Sequence, residues 1–236
     1  MKIAKVLVII EGVGNEKKVL KIVLICFCFM IFRADYKLLE NNQIIYRGMH
    51  EFSTLDPQIN LSVEVGYLAM HIFDRLLEYD EHGKLYPSLL KTLPTVSSDG
   101  IEYCFILKQG VRFSNGEELK SYDVKFTFER MLCGEKNYNK STWIFDNIKG
   151  AKDVLNGLTN QLSGFRIIND YEFKIELEKP YMPFLSGLAT PYASIFPKKV
   201  CMKLGEKWGD TIVGTGPFIV TSWVKEKEIV LEKNAK

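Results

Sequence analysis

The stretch from 110 to 132, GVRFSNGEELKSYDVKFTFERML, constrains the fold most strongly because it contains both a turn and a helix. Asn115-Gly116 is a dipeptide that tolerates positive φ, so the chain is expected to reverse there. Ser121 is suited to cap the following helix, and Asp123 places a negative charge near the positive end of that helix. Four apolar residues at helical spacing then predict one core-facing side: Val124, Phe128, Met131 and Leu132.

The rest of the chain predicts helices and strands that alternate without strict βαβ units. A turn at Pro57 and a cap at Asn60 or Ser62 precede a wide apolar helical stripe over 65–77. A hairpin is predicted around Asn169-Asp170, since period-two alternation follows on its second arm. Further strands are expected at 44–49, 101–107, 165–168, 172–178, 192–196, 218–223 and 228–232. This order predicts a mixed α/β fold.

Composition and motifs argue against several functional classes. The chain is 47% apolar and 25% charged, which excludes disordered and fibrous proteins, and its net charge of +2 gives no reason to expect nucleic acid. No CxxC pair, phosphate loop or GxSxG elbow occurs, and the three histidines lack the neighbours of a catalytic group or metal site. We therefore predict neither an enzyme, nor a cofactor, nor a metal site.

The N-terminal residues 1–33 predict a targeting segment. Three lysines precede the apolar run 22–32, as in a secretory signal. A membrane-spanning helix needs about 20 apolar residues, more than this run contains. Export to the periplasm or the outer face of the cell membrane is expected. Cys26 or Cys28 is a candidate for lipid attachment, which would anchor the protein to the membrane.

Binding through the backbone is better supported than catalysis. The loop Gly214-Thr215-Gly216-Pro217 contains positions that allow close main-chain approach, as in strand addition to an extended peptide. Three aromatic residues are candidates for the walls of side-chain pockets: Tyr138, Tyr192 and Phe218.

The stretch GVRFSNGEELKSYDVKFTFERML resembles the signature block of the family 5 extracellular solute-binding proteins, the oligopeptide- and dipeptide-binding components of bacterial ABC importers. The segments TLDP at 54–57 and HIFDRLLEYDEHGKLYPSLLKTL at 71–93 resemble the same family upstream. Downstream, ELEKPYMPFLSGLATP at 176–191 and WGDTIVGTGPFIVTSWVKEKEIVLEKN at 208–234 resemble it in the same order.

The resemblance implies a lobe of the type II periplasmic-binding-protein class. The first lobe is expected to comprise 34–62 and 156–236, with an inserted α/β subdomain at 63–155 that carries the signature helix. The strand at 44–49, the hairpin at 165–178 and the strands at 217–232 are expected to lie in the same subdomain. The family's second large lobe is expected to be absent, because the sequence stops where the chain would cross into it.

The resemblance also implies a set of ligand-facing residues. They follow the LDP turn, lie in the loop after the signature helix, or belong to the strand and the GTGP loop near the cleft. The candidates are Leu61, Val63, Tyr138, Tyr192, Ala193, Thr215, Gly216, Pro217 and Phe218.

The implied function is the substrate-binding component of an ABC importer for peptides, with the transmembrane subunits of the importer as partners. Without a second lobe the cleft would have one wall, so weak peptide binding or none is expected. Two alternatives stay open at this point. In the first, the chain is a non-functional or interaction-only remnant of such a protein. In the second, its ligand is nickel or an oligosaccharide, which other members of this family bind.

Overall fold

The computed structural model describes residues 43–47, 54–60, 62–133, 142–225 and 227–235. The helices in this part of the chain are α1 (Val63–Ile72), α2 (Ser121–Leu132), α3 (Ala151–Leu155), α4 (Phe184–Gly187) and α5 (Lys198–Leu204). Short 3₁₀ segments occupy Thr142–Ile144, Pro191–Ala193 and Gly205–Asp210. Within the described residues, no helix has the length and apolar character that crossing a bilayer requires.

The strand pairs in the described part of the chain are all antiparallel. The strands are β1 (Gln43–Arg47), β2 (Leu77–Tyr79), β3 (Leu85–Pro87), β4 (Thr95–Val96), β5 (Glu102–Ile106), β6 (Phe165–Asn169), β7 (Glu172–Glu176), β8 (Phe218–Val224) and β9 (Glu228–Lys233). They form a three-stranded sheet in the order β1-β9-β8, a β2-β3 pair and a four-stranded sheet in the order β4-β5-β7-β6. The first and last strands of the described chain therefore belong to one sheet, as the sequence predicts.

The β6-β7 hairpin forms as predicted and lies in a different sheet from β1 and β8-β9. It pairs with β5 instead of joining β1 and β8-β9. The reason is the match between two apolar alternations, which places Phe105 opposite Phe173 with ring centroids 4.9 Å apart. Phe165 stacks on the other side of Phe173 at 4.8 Å. The expectation that the hairpin lies in one subdomain with the 44–49 strand stays a prediction.

Helix α1 ends earlier than its apolar stripe suggests. Phe73 has extended backbone angles, and the Ile72 carbonyl accepts a hydrogen bond of 2.9 Å from the Gly216 N–H. A tertiary contact thus stops the helix at Ile72. The later members of the stripe, Leu76 and Leu77, belong to the core around the four-stranded sheet, whereas Ile72 and Phe73 belong to the core beneath β9.

The predicted strand at 192–196 is also absent. Pro191 begins a 3₁₀ turn, since its fixed φ and missing N–H suit the first position of a helical segment. The N–H groups that follow form single bonds to other elements, from Ile195 to the Asp74 carbonyl (3.1 Å) and from Phe196 to the Thr127 hydroxyl (3.0 Å). No neighbouring strand is aligned to form a ladder with this segment in the described chain.

The signature helix α2 begins at Ser121, but Ser121 is not its cap. The Asp123 carboxylate accepts the Lys120 N–H at 3.0 Å, and its other oxygen accepts the Lys198 N–H at 2.9 Å. One buried carboxylate therefore bonds the N-terminal ends of both α2 and α5. The predicted apolar side of α2 is confirmed, because Val124, Phe128, Met131 and Leu132 are buried.

A buried polar network joins the LDP turn to α2. Asp56 is fully buried and pairs with Arg130 at 2.5 Å. Arg130 also donates to Gln58 Oε1 at 2.6 Å, and Gln58 Nε2 donates to the Thr127 carbonyl at 3.0 Å. A buried charge is tolerated where it is paired and hydrogen-bonded, as here. These motif residues therefore hold the turn and the helix together.

Candidate ligand-binding site

Helix α1 presents apolar side chains on two opposite sides. Val65, Leu68 and Ile72 are buried in the core. The other side carries three large exposed apolar residues, with exposed fractions of 66%, 58% and 47%, which we call the α1 stripe: Val63, Tyr67 and Met70. Their spacing of four and three residues places them on one face. The predicted cap at Ser62 is confirmed, since its hydroxyl accepts the Val65 N–H at 3.3 Å.

The segment that begins at Pro191 runs beside α1. A Cβ added to Gly66 would lie 3.8 Å from the Pro191 ring, so the helix backbone and the 3₁₀ turn are in close contact. The bond from the Ile195 N–H to the Asp74 carbonyl holds the segment near the other end of the helix. Tyr192 is half-buried against the core, and Ala193 is fully buried.

The loop 214–217 packs against the C-terminal end of α1. A Cβ on Gly214 would lie 2.0 Å from the Ile72 carbonyl oxygen, and one on Gly216 would lie 2.7 Å from the same atom. Only glycine fits at these distances. The close approach predicted for this loop is real, but the group approached is the helix backbone. The Gly214 carbonyl is also engaged, since it accepts the Ser114 N–H at 2.8 Å.

The remaining loop residues surround the same end of α1. The Thr215 hydroxyl accepts the Asp74 N–H at 3.2 Å. Phe218 is half-buried and contacts His71 edge to face, with ring centroids 5.9 Å apart. Pro217 is exposed. Burial raises the pKa of the half-buried Asp74 carboxyl above its ordinary value, more than its hydrogen bond with Thr215 lowers it.

The predicted site residues thus fall into two groups along one helix. Val63 and Tyr192 belong to the N-terminal end, and Thr215 to Phe218 to the C-terminal end. Eight residue steps from Val63 to His71 span about 12 Å at 1.5 Å per residue. Ala193 and Gly216 are buried, so they contribute packing here. Leu61 and Tyr138 lie outside the described residues.

Sequence reasoning missed Tyr67, Met70 and Asp74. The sequence does contain a signal for Tyr67 and Met70. A helix with apolar residues on all sides must cover its second side with another part of the protein or with a partner. The apolar residues between Val63 and Met70 fit two stripes, and only the core-facing one was recognised. Asp74 carries no comparable signal, since its importance depends on the contact with Thr215, which is distant in sequence.

The chemistry of this surface suits binding. It offers apolar side chains on one side of α1, and a threonine hydroxyl and a carboxylate beyond the C-terminal end of that helix. In the described part of the chain, no group of three or more His, Cys, Asp or Glu side chains is arranged to hold a metal ion.

Comparison with known proteins gives a consistent picture. The model of the "Bacterial extracellular solute-binding proteins, family 5 Middle" matches residues 84–236. Protein XP55 of Streptomyces lividans is 32% identical over 166 residues, which cover 69% of this chain and 27% of that protein. The periplasmic oligopeptide-binding protein OppA of Salmonella typhimurium is 23% identical over 205 residues, covering 85% of this chain and 37% of that protein.

Solved structures confirm the mixed α/β lobe. The substrate-binding domain of an oligopeptide ABC transporter from Bacillus anthracis superposes with a TM-score of 0.74 at 26% identity, covering 83% of this chain and 37% of that one. Haemophilus influenzae OppA, in complex with the peptide RPPGFSPFR, gives a TM-score of 0.73 at 23% identity, with coverages of 78% and 37%. The chain spans roughly a third of the length of these relatives. It belongs to the bacterial extracellular solute-binding proteins of family 5.

Proposed function

We propose that this chain supplies one wall of the peptide-binding cleft in the substrate-binding component of an ABC importer. The observation that carries this proposal is the exposed α1 stripe, bordered by the Pro191–Ala193 turn and the loop 214–218. Large exposed apolar patches on soluble proteins often mark surfaces that bind a ligand or partner. The relatives named for oligopeptide and dipeptide binding support peptides as the ligand.

The stripe favours contact with the side chains of an extended peptide. Fully burying one large apolar side chain contributes about 1.5–3 kcal/mol of favourable free energy. A peptide that partly covers Val63, Tyr67 and Met70 therefore gains a part of this free energy from each. This surface contacts a peptide from one side, while the entropy of immobilising the ligand must still be offset. We therefore expect these 236 residues, tested by themselves, to bind short peptides at millimolar concentrations.

Membership in the family supports a wider role. We propose that the protein is exported through its 1–33 segment and delivers peptides to the transmembrane subunits of the importer. A lipid anchor at Cys26 or Cys28 would keep it at the membrane. Both cysteines lie outside the described residues.

Millimolar binding is measurable by NMR. We would titrate the isotope-labelled 236-residue chain with the tripeptide Leu-Leu-Leu, whose apolar side chains match the stripe. Amide shift changes are expected at 62–71, 191–193 and 215–218. Tyr67→Ser should weaken binding several-fold. The control Met182→Ser removes an apolar side chain that is 94% exposed outside this surface, and it should leave binding unchanged.

Two results would overturn the proposal. In the first, the peptide produces no localised shifts, or shifts that Tyr67→Ser does not reduce. In the second, nickel chloride or an oligosaccharide such as maltotriose perturbs these residues and the peptide does not.

A further inference from the structure

Strand β6 forms one edge of the four-stranded sheet. It pairs with β7 on one side, and in the described part of the chain no strand pairs with its other side. The Glu176 N–H donates to the Gly164 carbonyl at 2.8 Å, so Gly164 faces β7. Hydrogen-bonding groups alternate in direction along an antiparallel strand. The N–H and C=O of Ile167 therefore point to the open edge, away from β7.

A groove of about 510 Å³ lies beside this edge. Its walls combine residues 161–163 and 165–167 with Lys125 of α2 and with Asp153 and Thr159. Its volume falls within the range of about 300–1,000 Å³ that is usual for ligand sites. Extended backbone with open space directly beside it is what the addition of a further strand requires.

The outer face of the sheet has two cations beside one carboxylate. Arg166 lies directly opposite Lys174 in the β6-β7 register, and like charges in this position are unfavourable. The Lys174 ammonium contacts Glu102 Oε1 at 2.6 Å, whereas Arg166 forms no salt bridge among the described residues. Lys174, and to a smaller extent Arg166, lowers the pKa of Glu102. A carboxylate opposite Arg166 on an added strand would balance this row of charges.

The inner face of the sheet ends in an incompletely covered apolar row. The register places Ile167 opposite Phe173, which in turn lies opposite Phe105. The two phenylalanines are buried, but Ile167 is 40% exposed at the edge. A bulge at Ile168 shifts the register between Ile167 and Asn169, so the regular part of the edge ends at Ile167. An apolar residue opposite Ile167 would extend the row by one position.

We propose that β6 binds an extended segment of a partner protein as an added strand, in which an acidic residue opposes Arg166 and an apolar residue opposes Ile167. This surface belongs to the four-stranded sheet and not to α1, so the inference is independent of the proposed function. The added strand is short, because a bulge bends the edge beyond Ile167. An isolated peptide is therefore expected to bind only at millimolar concentrations.

The test uses two capped pentapeptides that differ in one charge. They are N-acetyl-Thr-Val-Glu-Val-Thr-amide and the same peptide with Lys in place of Glu. NMR titration of the isotope-labelled 236-residue chain should shift the amides of 161–167 and show about fivefold tighter binding of the Glu peptide at low salt.

Two variants test the two parts of the inference. Arg166→Glu should reverse the preference between the peptides, and it also creates an opposite-charge pair with Lys174 that favours folding. Ile167→Pro removes the N–H that faces the open edge, a change that an edge strand tolerates. It should abolish the binding of both peptides along β6. The matched control Lys84→Glu reverses an exposed charge at the β2-β3 hairpin and should keep the wild-type preference.

Several results would overturn the inference. In the wild-type chain these are an absence of shifts at 161–167 with either peptide, or equal binding of both peptides there. Shifts at 62–71 in place of 161–167 would assign the peptides to the α1 surface. Shifts at 161–167 on concentrating the chain alone would make a second copy the occupant. A wild-type preference that Arg166→Glu retains also contradicts the inference, and the wild-type comparison decides even if a variant does not fold.

Discussion

Asp123 shows how one residue of the signature block connects two helices. Its carboxylate accepts the Lys120 and Lys198 N–H groups, yet burial dominates and raises its pKa from 3.8 to about 6. Between these two values the folded protein holds a proton on Asp123 that the unfolded chain releases. The contribution of Asp123 to the free energy of unfolding is therefore complete below about pH 4 and decreases as the pH rises through 6.

The variant Asp123→Asn cannot titrate and should lack this slope. We expect the stability difference between wild type and variant to change between pH 4 and pH 7, in the direction that penalises the wild type at higher pH. Urea unfolding at pH 4, 5, 6 and 7 measures it. A difference that stays constant across this range would show that Asp123 keeps its ordinary pKa in the folded protein.

At the scale of elements, the contact between the loop 214–217 and α1 determines where the helix ends. Gly214→Ala would drive a Cβ to 2.0 Å from the Ile72 carbonyl oxygen, which belongs to the backbone and cannot rotate away. We expect a loss of about 1–3 kcal/mol or more in the free energy of unfolding. Denaturant unfolding at neutral pH measures this loss.

Gly66→Ala is the matched control in the same region. Its Cβ would meet Pro191 at an ordinary 3.8 Å, and alanine is favoured over glycine inside a helix by about 1 kcal/mol. This variant should be neutral or stabilising. If Gly214→Ala proves equally harmless, the loop does not pack on α1 as described.

The same contact explains which elements the sequence predicts and which it does not. Strands β5 and β7 and the β8-β9 hairpin follow from alternation, a local pattern that their backbone obeys. The end of α1 cannot be predicted from a local pattern. Ile72 and Leu76 continue one apolar stripe in the sequence, but their side chains belong to different cores. Sheet membership of the β6-β7 hairpin also escaped prediction, since both possible partner sheets have apolar faces and only packing selects between them.

The candidate site was predictable in part for a related reason. Family resemblance pointed to Val63 and the loop 214–218, which the structure places at the two ends of α1. The glycines of this loop pack on the helix backbone and not against a ligand. A glycine that allows close approach to a ligand allows close approach to a helix equally well. Asp74 required the folded structure, since Thr215 reaches it from 141 residues away.

At the scale of the whole molecule, two hydrophobic cores share connections that should make them unfold together. One core contains Phe73, Phe196 and Trp208, and the other lies around the four-stranded sheet. Val213 packs against both cores. The Phe196 N–H bonds to Thr127 of α2, so a backbone group of one core depends on the helix that covers the other.

We therefore expect a single cooperative transition, in which tryptophan fluorescence and far-UV circular dichroism give the same denaturation midpoint. Phe196→Ala tests the coupling, because its ring contacts Phe73 at 5.1 Å and Trp208 at 5.5 Å between centroids. Removing this ring should cost about 3–5 kcal/mol and shift both signals by the same amount. Fluorescence that changes at lower denaturant than circular dichroism would mean that the core around Trp208 opens alone, with the four-stranded sheet and α2 still folded.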